Sequence, residues 1–190
     1  MTVQVKPADI FLTRGHSFIS KAIRFFSTTI GEKRTKVNHV GVIISEGTLE
    51  ECIVIEALSR VKKHRLCEQY GPPKKDEIAI FRPTNLTEEE INIIIKEANK
   101  QVGRSYGYWK IVTHFLDWFL LGAYVFRRLT QNGNYPICSW LVAHAFSKAN
   151  KHFDVNPGAA EPDDIWDFVT LHKDKYEEIY PLKRLGKTKS

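Results

Sequence analysis

The sequence contains little cysteine, and its few cysteines are irregularly spaced. Its 190 residues include Cys52, Cys67 and Cys138, with no Cys-x-x-Cys pair among them. An odd number of unpaired cysteines argues against a disulfide framework, and the unrelated spacings of cysteines and histidines argue against a zinc site. We therefore expect free thiols in a reducing compartment.

Long hydrophobic runs are also missing. The longest, Phe115–Phe126, is interrupted by Asp117 and is shorter than the roughly 20 residues that a spanning helix needs. The first residues lack the charged, apolar and small-residue order of a signal peptide. We expect a protein that does not span a membrane and is cytoplasmic by default, with phage association or release by another route as the alternative.

Repeats, low-complexity segments and nucleic-acid-binding motifs are absent too. A chain of this length predicts a single domain over 1–190, with a basic C-terminal tail from about residue 183. The net charge of +6 favours anionic partners, such as a cell-wall polymer or a membrane surface. Without a recognition motif, no nucleic-acid partner is expected, and the oligomeric state stays open.

The order of apolar patterns predicts an α+β domain with an antiparallel sheet packed against helices. Strands are predicted at ADIFLTRG, NHVGVIIS, ECIVIEAL and DEIAIFRP. Helices are predicted at SFISKAIRFFSTTIG, TEEEINIIIKEANKQVG and ICSWLVAHAFSKAN, and in part of the aromatic-rich Ser105–Leu129. Thr87 and Glu90 have the spacing of a capping box. PGAAEPDDIWDF is predicted as a loop that ends in a short helical turn.

Cys138 follows Pro136 in the predicted first turn of an apolar helix. Free backbone N–H groups and the positive end of the helix dipole favour a thiolate there, and the same groups can stabilise an oxyanion. Position alone does not distinguish such a nucleophile from a buried structural cysteine.

A predicted hairpin provides a base for this cysteine. If Ile44 pairs with Glu51, then His39 lies opposite Glu56 on the same face of the sheet. A histidine held by a carboxylate is what a cysteine nucleophile requires. A His and Glu on a solvated strand face remain the alternative.

Several short segments, taken in order, resemble the circularly permuted papain-like cysteine hydrolases of the NlpC superfamily, and within it the YiiX-like group. The segments are PADIFLTRG, NHVGVI, IEA, VGRSYGYW, CSWLV and EPDDIWDF. The resemblance implies a circularly permuted papain-like (NlpC-like) fold. It also implies Cys138 as nucleophile, His39 as general base, Glu56 as the group that orients His39, and Tyr106 as a residue lining the site.

The implied activity is that of a cysteine peptidase or amidase working through an acyl-enzyme, without cofactor or metal. Cell-wall peptides are one implied substrate class. A lipid acyl hydrolase or acyltransferase with the same triad is an alternative, and so is an inactive binding module. The aromatic segment 111–130 is interpreted either as a buried helix or as a lid or membrane-contacting element.

Two positions depart from the family pattern. Ala8 stands where glycine is usual, and Trp140 fills a position that is often small or acidic. We expect the first to affect a turn and the second to reshape the pocket.

Other candidates are given minor roles: Cys52 as core filler, Cys67 and His64 as surface residues, and His144 as packing or surface.

Overall fold

A six-stranded antiparallel sheet forms the centre of the fold. The structure is a computed structural model and describes residues 3–15, 36–105 and 138–186. The strand order in the large sheet is β6-β5-β3-β2-β7-β8, and β1 and β4 form a separate antiparallel pair. The strands are β1 (Gln4–Val5), β2 (Ile10–Arg14), β3 (His39–Ile43), β4 (Gly47–Thr48), β5 (Ile53–Ala57), β6 (Val61–Arg65), β7 (Glu77–Pro83) and β8 (Tyr176–Arg184). The helices are α1 (Leu66–Tyr70), α2 (Glu88–Lys100), α3 (Cys138–Lys148) and α4 (Pro162–Leu171).

Alternation along the strands divides the core between the two faces of the sheet. On β2, Ile10 and Leu12 belong to one apolar cluster and Phe11 to the other. The Ile10 cluster contains the buried residues of α2, α3 and α4, so three helices cover this face. The Phe11 cluster contains Leu66 and Tyr70 of α1, which lies on the opposite face. The described residues thus form an α+β fold with an antiparallel sheet packed against helices, as predicted.

The predicted helices around residues 88–100 and 138–148 are confirmed. Thr87 accepts a hydrogen bond from the Glu90 backbone N–H at 3.2 Å, and the Thr87 N–H donates to the Glu90 carboxylate at 2.8 Å, so the capping box is present. The apolar residues of this segment are buried in the helix-covered cluster; they include Leu141, Val142, Ala145 and Phe146 of α3 and Ala149, which follows it.

Two strands at the edges of the sheet were not predicted, and one predicted loop is a helix. The unpredicted strands are β6, in a segment rich in exposed charges, and β8, which ends at Arg184. Helix α4 begins already at Pro162 and runs for ten residues, because proline suits the first helical position and Asp164 closes a capping box with Glu161. The predicted helix from Ser17 and the aromatic segment lie outside the described residues.

The departure at Ala8 falls on a strained turn. Ala8 has a φ of 71°, in the left-handed region where glycine is favoured. Its N–H donates to the Ile43 carbonyl at 2.9 Å. Asp9, the next residue, is 1% exposed and accepts two hydrogen bonds from Arg82, at 3.0 and 2.7 Å. The alanine is therefore held in place by a buried ion pair and a backbone hydrogen bond.

Within the described ranges, no helix combines the length and the apolar character needed to cross a bilayer.

Candidate active site

His39 and Glu56 lie on the same face of the paired strands β3 and β5. The observed register places Gly41 opposite Glu56, which differs by two residues from the predicted pairing of His39 with Glu56. A shift of two preserves the face to which each side chain points. His39 therefore reaches Glu56 diagonally, past a glycine that has no side chain to block the path.

Glu56 is a fully buried carboxylate that accepts hydrogen bonds from three side chains. It is 0% exposed. The His39 Nε2 and the Tyr70 hydroxyl both contact Oε2, the latter at 2.5 Å. The His64 Nε2 contacts Oε1 at 2.7 Å. A buried charge is tolerated only when it is paired and hydrogen-bonded, and these contacts meet that requirement.

Cys138 meets His39 from the other side of the sheet. It is the first described residue of α3, and it belongs to the apolar cluster on the helix-covered face. His39 is the first residue of β3, at the end of the strand. Cys138 and His39 are close enough for each to shift the pKa of the other, and the backbone N–H groups of Val40 and Ser139 also act on the pKa of Cys138. Since His39 Nε2 faces Glu56, Nδ1 is the ring nitrogen left for the sulfur.

The electrostatics of the three groups are mutually dependent. Burial alone would raise the pKa of Cys138, but the charge and hydrogen bond of His39, with the two backbone N–H groups, lower it below its ordinary value. Burial would lower the pKa of His39, yet Cys138 and Glu56 raise it to about 10. Burial would raise the pKa of Glu56, and His39 with the other donors lowers it to about 2. The arrangement therefore favours a thiolate–imidazolium pair beside an ionised carboxylate.

The structure thus brings together Cys138, His39 and Glu56 from the predicted set. Tyr106, predicted to line the site, lies outside the described residues. Ser139, next to the cysteine, is fully buried and its hydroxyl donates to the Ala160 carbonyl at 2.5 Å, which ties α3 to the segment before α4.

Two residues that contact Glu56 were not predicted as part of the site. His64 was interpreted as surface because it stands among Lys62, Lys63 and Arg65, but its side chain is only 16% exposed. In the structure His64 pairs with Val54 of β5, so its side chain lies on the same face of the sheet as that of Glu56. The charged run around His64 shows no apolar alternation from which this could have been predicted. No sequence signal pointed to Tyr70, which reaches the carboxylate from α1.

The remaining candidates have other contacts than those among Cys138, His39 and Glu56. Cys52 is buried in the Phe11 cluster, as predicted for core filler, and burial raises the pKa of its thiol to about 12. Cys67 is partly exposed, and its thiol donates to the Glu50 carbonyl at 2.9 Å. Trp140 is 8% exposed and stacks on His144, with ring centroids 4.5 Å apart. His144 therefore packs along α3, one of the two roles predicted for it.

The described parts of the chain contain no group of three or more His, Cys, Asp or Glu side chains arranged to hold a metal ion. In the cluster around Glu56, both histidines direct Nε2 at the carboxylate rather than at a common point.

Comparison with solved structures finds a similar fold in the metalloprotein yiiX from Escherichia coli O157:H7. The TM-score is 0.51 and the sequence identity 17%, and the match covers 76% of this chain and 66% of yiiX. The fold is YiiX-like. At this identity the likeness to yiiX concerns the fold alone, and this chain spans about two thirds of the yiiX length. No protein-family model matches the chain, and no curated protein matches it in sequence.

Proposed function

We propose that this protein is a cysteine hydrolase of the peptidase or amidase type, with a permuted papain-like fold and a Cys138–His39–Glu56 triad. The observation that carries the proposal is the bond of the His39 ring to the buried Glu56, with Cys138 close enough to His39 for each to shift the pKa of the other. A thiol, a base and an orienting carboxylate in series are the minimum set for nucleophilic catalysis by cysteine. The YiiX-like fold agrees with the resemblance that implied these roles.

The reaction begins from the thiolate–imidazolium pair. The Cys138 sulfur attacks the carbonyl carbon of an amide, a C–S bond forms, and the carbonyl electron pair moves onto oxygen. Backbone N–H groups at the start of the Cys138 helix, including that of Cys138, stabilise this oxyanion. When the tetrahedral intermediate collapses, the C–N bond breaks and the leaving amine takes the proton of His39.

A water molecule completes the cycle. Neutral His39 takes a proton from the water, the resulting hydroxide attacks the thioester, and the C–S bond breaks to release the acid and the Cys138 thiolate. Glu56 stays ionised throughout, because it holds the imidazolium in position and stabilises its charge rather than accepting the proton.

The substrate classes are peptides, including those of cell walls, and acyl lipids. Both present a carbonyl to the same thiolate, and an acyl acceptor other than water would make the enzyme a transferase. The positive charge of the chain suits an anionic wall or membrane surface. Amide and ester substrates presented side by side distinguish the two classes.

The metal of yiiX does not enter this mechanism. The histidine and carboxylate groups of this chain that could bind a metal are directed at one another, with His39 and His64 both bonded to Glu56. A metal ligand set requires these atoms to converge on a common point. The described residues therefore do not fit a metal site at the triad, and we derive no step through one.

Alkylation of Cys138 by iodoacetamide tests the triad. In the intact protein, the rate should rise at a lower pH than for an ordinary thiol, because His39 lowers the pKa of Cys138 against the effect of burial. In His39→Ala the rise should move towards the pH of an ordinary thiol, about 8.5. Mass spectrometry of the modified peptide assigns the rate to Cys138, and Cys67 in the same sample is the internal control for reagent and pH.

The outcome decides between an enzyme and a binding module. A Cys138 that reacts like Cys67, or that is indifferent to His39→Ala, would contradict the proposal and favour an inactive relative. If Cys138 is reactive, the protein is next assayed with libraries of peptide and ester substrates. Cys138→Ser should then remove the turnover of whichever class is cleaved.

A further inference from the structure

We propose that His64 is a positioning residue of this site: as an imidazolium it holds Glu56 from the side opposite His39 and sets how strongly the carboxylate acts on the His39–Cys138 pair. The inference rests on the proposed function. It adds a second histidine to the site, on strand β6, with a role that the triad alone does not contain.

The contacts of Glu56 divide between its two oxygens. Oε2 accepts from His39 and from the Tyr70 hydroxyl, whereas Oε1 accepts from His64 at 2.7 Å. These donors come from β3, α1 and β6, so the carboxylate is fixed from three elements and cannot rotate without losing a bond. Since Glu56 is fully buried, no bulk water replaces a lost donor.

The hydrogen-bond partners of His64 require both ring nitrogens to carry protons. Nδ1 lies 2.9 Å from the Arg65 carbonyl oxygen, which can only accept. Nε2 lies 2.7 Å from an ionised carboxylate, which can also only accept. A neutral imidazole has one donor nitrogen and could satisfy only one of these contacts. The geometry therefore requires a cationic His64.

The charges around His64 support this state. Glu56 faces it from β5, and the hydrogen bond to Glu56 is the main cause that raises the pKa of His64; the carboxylate of Glu68, on α1, acts in the same direction. Tyr70, also on α1, contacts the same carboxylate as His64 through its hydroxyl. The cations Lys62, Lys63 and Arg65 on β6 itself are exposed to solvent, which screens their repulsion.

The negative charge of Glu56 is therefore shared between two histidines. The carboxylate lies between two imidazolium groups, and His64 offsets part of the negative charge that Glu56 presents to His39 and Cys138. Loss of the His64 charge would leave Glu56 more negative towards the pair. A more negative neighbour disfavours the thiolate and favours the imidazolium, so the pKa values of Cys138 and of His39 would both rise.

The test is the pH profile of Cys138 alkylation in His64→Gln. Glutamine retains an N–H donor for Glu56 but carries no charge, so it separates the charge from the hydrogen bond. We expect the low-pH rise of the profile to move upward by on the order of 0.5 pH unit. His64→Leu removes donor and charge, and should also lower the maximal rate. His172→Gln is the matched control. The Nδ1 of His172 also lies 2.9 Å from a backbone carbonyl oxygen, that of Phe168, but His172 has no contact with Glu56, His39 or Cys138 among the hydrogen bonds of the described residues.

A purely structural role predicts a different result. In that case His64→Gln would lower the rate equally at every pH without moving the profile, and the inference would be overturned. If the intact protein shows no His39-dependent reactivity of Cys138, the proposed function itself fails, which is a separate and recognisable outcome.

A second measurement does not depend on reactivity or on a variant that folds. Nitrogen chemical shifts of the imidazole rings in the intact protein report how many ring nitrogens are protonated. At pH 7 we expect His64 to be protonated on both, and His172 serves as the comparison. A single neutral tautomer of His64 at that pH would overturn the inference.

Discussion

Gly41 determines whether His39 and Glu56 can meet. It lies opposite Glu56 in the β3–β5 pair, and a Cβ placed on it would be 2.5 Å from the Phe11 ring and 3.0 Å from the Glu56 Cβ. Phe11 cannot move away freely, because it is fully buried and its ring contacts His39 and Tyr70. The absence of one side chain thus leaves room for the ring and for the diagonal hydrogen bond.

Gly41→Ala should therefore both destabilise the fold and disturb the site. Overpacking of a filled core costs about 1–3 kcal/mol of unfolding free energy. We expect a loss in this range in urea unfolding, together with slower alkylation of Cys138. Gly186→Ala is the control, because nothing lies within 4 Å of a Cβ at that position. Unchanged stability and reactivity in Gly41→Ala would show that Phe11 has more freedom than its packing indicates.

For single residues, the sequence predicts membership of the site well when the residue is a polar exception in an apolar strand pattern. His39 and Glu56 stand in apolar runs, where a polar pair must be satisfied, and this led to their identification. His64 stands in a run of cations, so its burial depends on tertiary packing that no local pattern records. Tyr70 reaches the site from a five-residue helix, too short for periodicity to predict.

Among the elements, helix α2 supports the site indirectly by packing on the same apolar cluster as α3. Its buried residues Ile94 and Ala98 belong to the cluster that contains Cys138 and Leu141. The helix begins at a capping box whose two hydrogen bonds satisfy backbone groups that would otherwise lack partners.

Thr87→Ala tests this cap. Removal of the hydroxyl should lower the unfolding free energy by about 1 kcal/mol, within the range for cap substitutions. Thr87→Ser keeps the acceptor and should retain most of the stability. Measured by urea unfolding, equal losses in both variants would mean that the threonine methyl, rather than the cap, contributes. The alkylation of Cys138 under native conditions should be unaffected.

Element prediction succeeded where the apolar pattern was strong and failed at the margins of the sheet. Strands β6 and β8 are its two edges, and their exposed charges mask the alternation. The register of β3 and β5 was placed two residues away because the connection was interpreted as a simple turn. In the structure that connection contains β4, which pairs with β1. A partner from a distant segment cannot be read from the hairpin alone.

For the molecule as a whole, the buried ionised groups determine how stability depends on pH. The pKa of Glu56 is lowered to about 2, so its stabilising contribution is complete above about pH 4.5 and is lost as the pH falls towards 2. The pKa of His39 is raised to about 10, so its contribution is complete below about pH 6.5 and is lost as the pH rises through 10. Together these two groups place the stability maximum between their ordinary pKa values, 4.5 for the carboxyl group and 6.5 for the imidazole, in mildly acidic solution.

Glu56→Gln should alter this profile in two ways. Near pH 6 the variant should be less stable by about 3 kcal/mol, because two buried imidazolium groups lose their counter-charge. Between pH 4.5 and 2 its stability should fall less than that of the intact protein, since glutamine does not titrate. Urea midpoints across this range measure both effects. An acid limb identical in the two proteins would assign acid unfolding to other carboxylates.

The shared carboxylate has a consequence for the newly made chain. His39, Glu56, His64 and Tyr70 precede Cys138 in the sequence, so they leave the ribosome first and can form their hydrogen bonds before the cysteine is synthesised. The pKa of Cys138 is lowered by His39, so this effect requires that α3 has docked on the sheet. Under the proposed function, an incomplete or misfolded chain would therefore lack the reactive sulfur.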